Sequence, residues 1–203
     1  MTDKGFTKKQ RIYLGLKRLF DIFLSFFAII ILTPFLILVG LLVVCTSKGP
    51  VFFRQKRIGS GKRVFRILKF RTMRVGAPEI PPSNLTKEEQ RAMLTGIGVF
   101  LRKTSIDELP QIFNIFIGQM SVIGPRPAAA CNEDDIVNER DKYFPNPNSL
   151  RPGLSGYAQT HGRNHEVKQK AELDAYYAKN ISFGLDVKIF FLTIRKLFLF
   201  EGS

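Results

Sequence analysis

From Ile22 to Val44 the chain carries no charged residue over 23 positions, IFLSFFAIIILTPFLILVGLLVV. As a helix that run is about 34 Å long, enough to cross a hydrocarbon core of roughly 30 Å. Buried core helices rarely reach this length. A cleaved signal sequence fits poorly, because the run is too long and Cys45-Thr46-Ser47-Lys48 is not a small-x-small cleavage site. The flanks constrain the topology further. Residues 1–18 hold six Lys/Arg, residues 48–74 hold ten, and no Asp or Glu lies between Asp21 and Glu79. Basic flanks stay on the cytoplasmic side, so a straight span would place one of them wrongly. A hairpin that enters and leaves on one face removes the conflict. Thr33-Pro34 sits mid-run, and proline deletes a backbone hydrogen bond and kinks a helix. The expectation is a re-entrant helix–break–helix anchor over residues 1–47, broken at Thr33 and Pro34, with Asp21 paired to Lys17 and Arg18 at headgroup level.

The formal net charge of +14 calls for an anionic partner: nucleic acid, anionic lipid or a phosphorylated substrate. Two cysteines, Cys45 and Cys131, are too few for a disulfide framework. Residues 51–73 alternate apolar and basic stretches around Gly59-Ser60-Gly61 and read as a β-hairpin. Residues 75–85 read as a loop. Thr86-Lys87-Glu88-Glu89 is a capping box, expected to open a helix running to about Lys103. Leu109, Ile112, Phe113, Phe116 and Ile117 fall on one helical face, and Pro110 puts that helix's start near Asp107. Residues 121–165 are irregular with a short helix near 132–142. Helices return at about 166–179 and 183–200, the last apolar and basic enough to lie in a membrane interface. The fold class is α+β, mostly helical with a short β-hairpin, and residues 48–203 form one catalytic unit with the anchor.

Asp107 and Glu108 stand at an expected helix N-terminus, where the dipole favours ionised carboxylate. Alone, such a pair is usually a cap. Here Arg102 and Lys103 lie just upstream, Gly124-Pro125-Arg126-Pro127 presents a guanidinium on a rigid loop, and Gly162-Arg163-Asn164 presents another. Carboxylates among cations suit phosphate chemistry, in which the cations offset phosphoryl charge and a carboxylate attacks or binds metal. His161 and His165 make a poor zinc pair, with Gly162 between them and no HExxH. Gly59-Ser60-Gly61-Lys62 lacks P-loop spacing. Nucleic acid is disfavoured, because the aromatics cluster in apolar segments rather than among Lys and Arg.

The order of motifs resembles the monotopic polyprenyl-phosphate phosphoglycosyl transferases, the bacterial sugar transferase family, in its small PglC-like members. The resemblance runs from Lys17-Arg18-x-x-Asp21 and Thr33-Pro34 through Gly49-Pro50-Val51-Phe52-Phe53-x-Gln55 and Lys69-Phe70-Arg71-Thr72-Met73. It continues with Arg102, Asp107-Glu108-Leu109-Pro110-Gln111, Met120-Ser121-x-x-Gly124-Pro125-Arg126-Pro127, Arg151-Pro152-Gly153, Gly162-Arg163-Asn164, Asp174-x-Tyr176-Tyr177 and Leu185-Asp186-Val187-Lys188. Thr160-His161 departs from the Val-Asn that often precedes Gly-Arg-Asn, and the Trp often found nearby is absent. The chain lacks the large N-terminal membrane region of bigger relatives, which makes a minimal catalytic unit the expectation.

The resemblance implies transfer of a sugar-1-phosphate from a UDP-sugar to polyprenyl (undecaprenyl) phosphate with release of UMP. It implies Mg²⁺ dependence and a covalent intermediate on Asp107. Glu108 would be metal ligand or acid/base partner, with Asp107 also a candidate ligand. Lys69, Arg102, Arg126 and Arg163 would hold phosphates or nucleotide, with Pro125, Pro127 and Gln111 beside them. It places the enzyme in the bacterial inner membrane, its site on the cytoplasmic face among membrane lipids, and leaves the oligomeric state open, a homodimer included. The rival reading is a non-enzymatic adaptor that binds anionic lipid through its basic surface.

Overall fold

The computed structural model describes residues 5–77, 86–130, 134–162 and 166–198. Helix α1 spans Lys8–Thr46 and starts at a Thr7/Gln10 capping box. It is one continuous helix with Pro34 inside, so the expected break is not an interruption of the helix. Pro34 has no N–H for the carbonyl of Ile30, and the Thr33 hydroxyl donates to Ile29 O at 2.6 Å. Both features bend helices without ending them. Only 22% of the apolar window is buried, unlike the core helix of a soluble domain.

The hairpin forms as its pattern predicts. Strands β1 (Phe52–Ile58) and β2 (Val64–Phe70) pair antiparallel from Phe52↔Phe70 to Ile58↔Val64. Gly61 turns the chain with φ +65°. Short helix α2 (Lys87–Ala92) opens at the Thr86 capping box but does not run to Lys103. The chain breaks at Met93–Thr95, and Thr95 caps a separate helix, α3 (Gly96–Lys103). Tertiary pairing overrides helix propensity here: Thr95 N–H donates to Thr72 O at 2.9 Å, and a Cβ at Gly98 would meet that same oxygen at 2.1 Å. A 3-10 turn at Ile106–Glu108 then leads to α4 (Gln111–Phe116), which begins after Pro110.

The buried face of α4 is not its apolar stripe. Gln111, Ile112, Asn114 and Ile115 point inward, while Phe113, Phe116 and Ile117 are exposed. Asn114 is buried because β2 is an edge strand whose backbone needs partners. Its Oδ1 accepts Leu68 N–H at 3.0 Å and its Nδ2 donates to Arg66 O at 2.8 Å. The outward rings join the apolar surface of α1, with Phe26 and Phe116 centroids 6.3 Å apart.

Strands β3 (Ser121–Ile123) and β5 (Gly153–Ser155) pair parallel, and β4 (Ala128–Ala129) extends the hairpin beside β1. Helices α5 (Asp134–Asp141), α7 (Val167–Asn180) and α8 (Phe183–Phe198) agree with expectation, and a short α6 (Tyr157–His161) was not anticipated. The expected loop at 75–85 lies largely outside the described residues.

Both ends of the apolar run are bound to the same body. Near the start, Lys17 pairs with Asp186 of α8 rather than with Asp21. Asp21 is buried and accepts Val122 N–H at 3.0 Å instead. Asp186 also accepts Tyr13 and Tyr177 hydroxyls. Further along, Leu36, Val39 and Val43 pack on Phe70, Leu101 and Ile112. Burying each such side chain is worth about 1.5–3 kcal/mol. At the end, Arg71 donates to Lys48 O at 2.8 Å and Ser47 O at 2.6 Å. Replacing Asp186 by Ala leaves Lys17 buried without a counter-ion. The expected cost is about 3–5 kcal/mol, seen as a lowered thermal midpoint of the solubilised protein. Asp186→Ala with an unchanged midpoint would show that α8 is not what holds α1.

Candidate active site

Hairpin, 3-10 turn and a proline-flanked loop converge on one shallow cleft. Lys69 reaches it from the end of β2, Glu108 from the 3-10 turn, Gln111 from the first turn of α4 and Arg126 from the loop before β4; Asp107, next to Glu108 on the same turn, is buried within electrostatic reach of Lys69 and Arg102. Ser105, in the left-handed region at φ +57°, makes the sharp link that turns Asp107 inward from the end of α3.

Asp107 is only 7% exposed. Burial pushes its carboxyl up to about 6, Glu108 pushes the same way, and Lys69 and Arg102 oppose both. Lys69 Nζ donates to Glu108 Oε1 at 2.7 Å, and Arg126 Nη2 lies 3.9 Å from the same oxygen. Arg102 is held by its Nε–H, which donates to the Thr72 hydroxyl at 3.0 Å. Burial lowers its guanidinium and the Asp107 charge opposes that, and the guanidinium stays charged. Gln111 is 2% exposed, and its Nε2 has no hydrogen-bond partner among the described residues. A buried donor left open at a cleft wall invites an acceptor from a ligand.

Lys69, Arg102, Asp107, Glu108, Gln111 and Arg126 are thus brought together. Pro125 and Pro127 frame the loop: their carbonyls accept Gly153 N–H at 2.9 Å and Arg57 Nη1 at 3.1 Å. Arg163 and His165 lie outside the described residues. His161 stacks on Tyr157, centroids 3.9 Å apart.

Arg57 was missed, although it lines the cleft. The signal was available in the two-residue period of a strand. Phe53, Gln55 and Arg57 share one face of β1, opposite Lys69, Ile67 and Phe65 of β2. Thr72 stands in the sequence only within the Lys69–Met73 motif, yet its hydroxyl holds Arg102.

Among the described residues no three His, Cys, Asp or Glu gather as a metal cage. The adjacent carboxylates Asp107 and Glu108 still fit Mg²⁺, which commonly takes one or two carboxylates and completes its shell with water and substrate phosphates. An ion there would offset the like charge of the two side chains.

The site is a carboxylate pair ringed by cations, in a fold that also carries a long, apolar, exposed helix. The chain belongs to the bacterial sugar transferase family, whose model matches residues 12–200. It is 39% identical to the UDP-glucose:undecaprenyl-phosphate glucose-1-phosphate transferase of Klebsiella pneumoniae, over 92% of this chain and 41% of that protein. It is 40% identical to the UDP-N-acetylgalactosamine-undecaprenyl-phosphate N-acetylgalactosaminephosphotransferase of Aeromonas hydrophila, over 95% of this chain and 46% of that one. With the exopolysaccharide production protein PSS of Rhizobium leguminosarum bv. phaseoli it shares 37% identity over 89% of this chain and 94% of that one. The chain therefore spans less than half of the first two relatives and nearly all of the third.

The raised Asp107 predicts a measurable stability cost. Its folded value of about 6 lies above the ordinary 3.8, so between those values the folded state binds the extra proton. Stability is fullest below that window and falls as pH rises through it. Above it, ionised Asp107 costs at most about 3 kcal/mol. Asp107→Asn should therefore raise the thermal midpoint of the ligand-free protein at neutral pH, the gain shrinking as pH falls towards 4. An equal gain at both pH values would mean that Asp107 is not held ionised against burial.

Proposed function

We propose that this protein transfers a sugar-1-phosphate from a UDP-sugar to polyprenyl phosphate, undecaprenyl phosphate in bacteria, giving the polyprenyl-diphosphate-sugar and UMP. The observation that carries the reading is the buried Asp107 carboxylate between Lys69 and Arg102, in a chain with a long, exposed, apolar helix. The donor and acceptor classes come from the names of the relatives, two of which use different sugars, so the sugar itself is for experiment to assign.

In the first step a carboxylate oxygen of Asp107 attacks the sugar-bearing phosphorus. The phosphorus–oxygen bond to UMP breaks, UMP leaves with that electron pair, and Asp107 carries the phosphosugar. In the second step an oxygen of polyprenyl phosphate attacks the same phosphorus and Asp107 leaves as free carboxylate. Each displacement gathers charge on equatorial oxygens, which Lys69, Arg102 and Arg126 are placed to offset. Glu108, tied to Lys69, acts as the acid/base partner or metal ligand. Mg²⁺ held by Asp107 or Glu108 would supply further neutralisation of the diphosphate. Gln111 Nε2 offers its open N–H to a donor oxygen.

The anchor reading follows from the two tethers. Lys17 and Ser47 bracket the apolar run, and each is bound to the same body. A straight span would pull these ends to opposite faces of the bilayer, so α1 is read as re-entrant, bent about Thr33-Pro34, with the body on the cytoplasmic face of the inner membrane. The exposed Phe113, Phe116 and Ile117 of α4 and Phe183, Phe190 and Phe191 of α8 extend the apolar surface and read as interfacial. On this reading the site lies where a lipid phosphate sits. Residues 1–47 act as anchor and 48–203 as catalytic unit.

Purified protein in detergent with Mg²⁺ and undecaprenyl phosphate should release UMP from one member of a UDP-sugar panel, glucose and N-acetylgalactosamine donors included. Asp107→Asn should abolish release, and Lys69→Ala should cut it by roughly 100-fold or more. Wild-type rate should fall on the acid side below about pH 6, as Asp107 takes up its proton. Release that survives Asp107→Asn would remove the covalent route, and no release with any donor would favour a lipid-binding adaptor. In a variant lacking Cys45 and Cys131, single cysteines at positions 10 and 48 should label from the cytoplasmic side only. Labelling from opposite sides would establish a true span.

A further inference from the structure

Arg126 reaches the cleft from a loop, with its guanidinium about half exposed and 3.9 Å from Glu108. Where that guanidinium sits therefore depends on the backbone beneath it. Three successive carbonyls of this backbone are clamped by three different elements. Pro125 O takes Gly153 N–H of β5 at 2.9 Å, Arg126 O takes Arg140 Nη2 of α5 at 3.0 Å, and Pro127 O takes Arg57 Nη1 of β1 at 3.1 Å.

The middle clamp is unlike the others, because it is charged, buried and backed by a second charge. Arg140 donates from Nε at 2.9 Å and from Nη2 at 2.6 Å to one oxygen, Oδ2, of Asp174 on α7. The two residues are 6% and 2% exposed. Asp174 Oδ1 has no hydrogen-bond partner among the described residues. This is a poor arrangement for stability alone. Desolvating two ions costs much of what their attraction returns, and an orphaned carboxylate oxygen adds to the cost. Nor is the pair needed to dock α5 on α7, since Ile136, Val137 and Ala171 already pack there as an apolar cluster. What an apolar pair could not do is lock a guanidinium plane and share its Nη2 between a carboxylate and a backbone carbonyl.

We infer that Arg140 and Asp174 are a positioning pair: Asp174 orients Arg140, Arg140 holds the carbonyl of Arg126, and the Arg126 guanidinium is thereby aimed at the diphosphate of the nucleotide donor. The inference rests on the transferase reading above. Neither Arg140 nor Asp174 lines the cleft, and they act through one backbone oxygen.

The test is a double-mutant cycle on UDP binding, by calorimetry, with Mg²⁺ present. It uses the full chain in nanodiscs carrying Asp107→Asn to prevent turnover. Asp174→Asn and Arg126→Ala should each weaken UDP by about tenfold, and the combination should be no weaker than Arg126→Ala alone. Arg140→Lys keeps the charge but loses the shared fork, so it should behave as Asp174→Asn does, and it stands in if Asp174→Asn does not fold. Losses that multiply would overturn the inference, as would an Asp174→Asn or Arg126→Ala protein that binds UDP normally. A separate assay keeps the two readings apart. Wild-type protein that binds UDP with the expected coupling but releases no UMP from any UDP-sugar would sink the transferase reading and leave the positioning pair standing. Failure of the cycle in a protein that does release UMP would sink only the pair.

Discussion

An ionised carboxylate and a buried position oppose one another, and this site holds both at Asp107. Burial alone would leave the group protonated well above the ordinary range, where it is neither a nucleophile nor a metal ligand. Lys69 and Arg102 pull the other way, and the resulting value of about 6 leaves the group ionised at neutral pH. Much of the surrounding architecture serves to bring those cations close. Lys69 comes from a strand, Arg102 from a helix end fixed by Thr72, and Arg126 from a loop pinned at three carbonyls. Their mutual repulsion is tolerated because the hairpin, the Thr95 junction and the α5–α7 pair each hold one backbone in place.

The second organising constraint is the apolar surface. Helix α1 exposes rings and aliphatic chains along both of its halves, and α4 and α8 add theirs to it. Phe20 and Phe183 centroids lie 6.3 Å apart, as do those of Phe26 and Phe116, so the three helices present one connected face. A face of that extent calls for an apolar environment rather than water. Because α1 also contributes Leu36, Val39 and Val43 to the core, it packs in one cluster with Phe70, Leu101, Ile106 and Ile112, the immediate chain neighbours of Lys69, Arg102, Asp107 and Gln111.

The comparison of α4 with its sequence pattern shows how such a face misleads. Leu109, Ile112, Phe113, Phe116 and Ile117 share one helical side, yet three of the five point outward. Helical periodicity reports which residues share a side, and it assumes that the apolar side faces protein. In a protein with an apolar exterior the polar Asn114 and Gln111 can take the inside, because there they meet backbone groups and a cleft. The helix expected from Thr86 to Lys103 failed for a related reason. Thr95 and Gly98 are local signals for a cap and a close approach, but the partner that makes them so, the Thr72 carbonyl, lies more than twenty residues away.

Local chemistry was legible from the sequence: the uncharged run with basic flanks, the hairpin around Gly61, the capping box at Thr86, the helices at 134–141, 167–180 and 183–198, and the carboxylate pair with cations on either side. These depend on hydrogen-bonding and steric rules that act within a few residues. The sequence also carried the ordered motifs that mark the family. Tertiary structure alone decided which cations meet which carboxylates. It gave Lys17 to Asp186 rather than Asp21, Lys69 to Glu108, and Arg140 to Asp174 and the Arg126 carbonyl. It also settled that Asp107 is buried while Arg126 stays half open. Pairing and burial depend on the path of the whole chain, because Coulomb energy and desolvation are set by distances in space that spacing along the sequence does not encode.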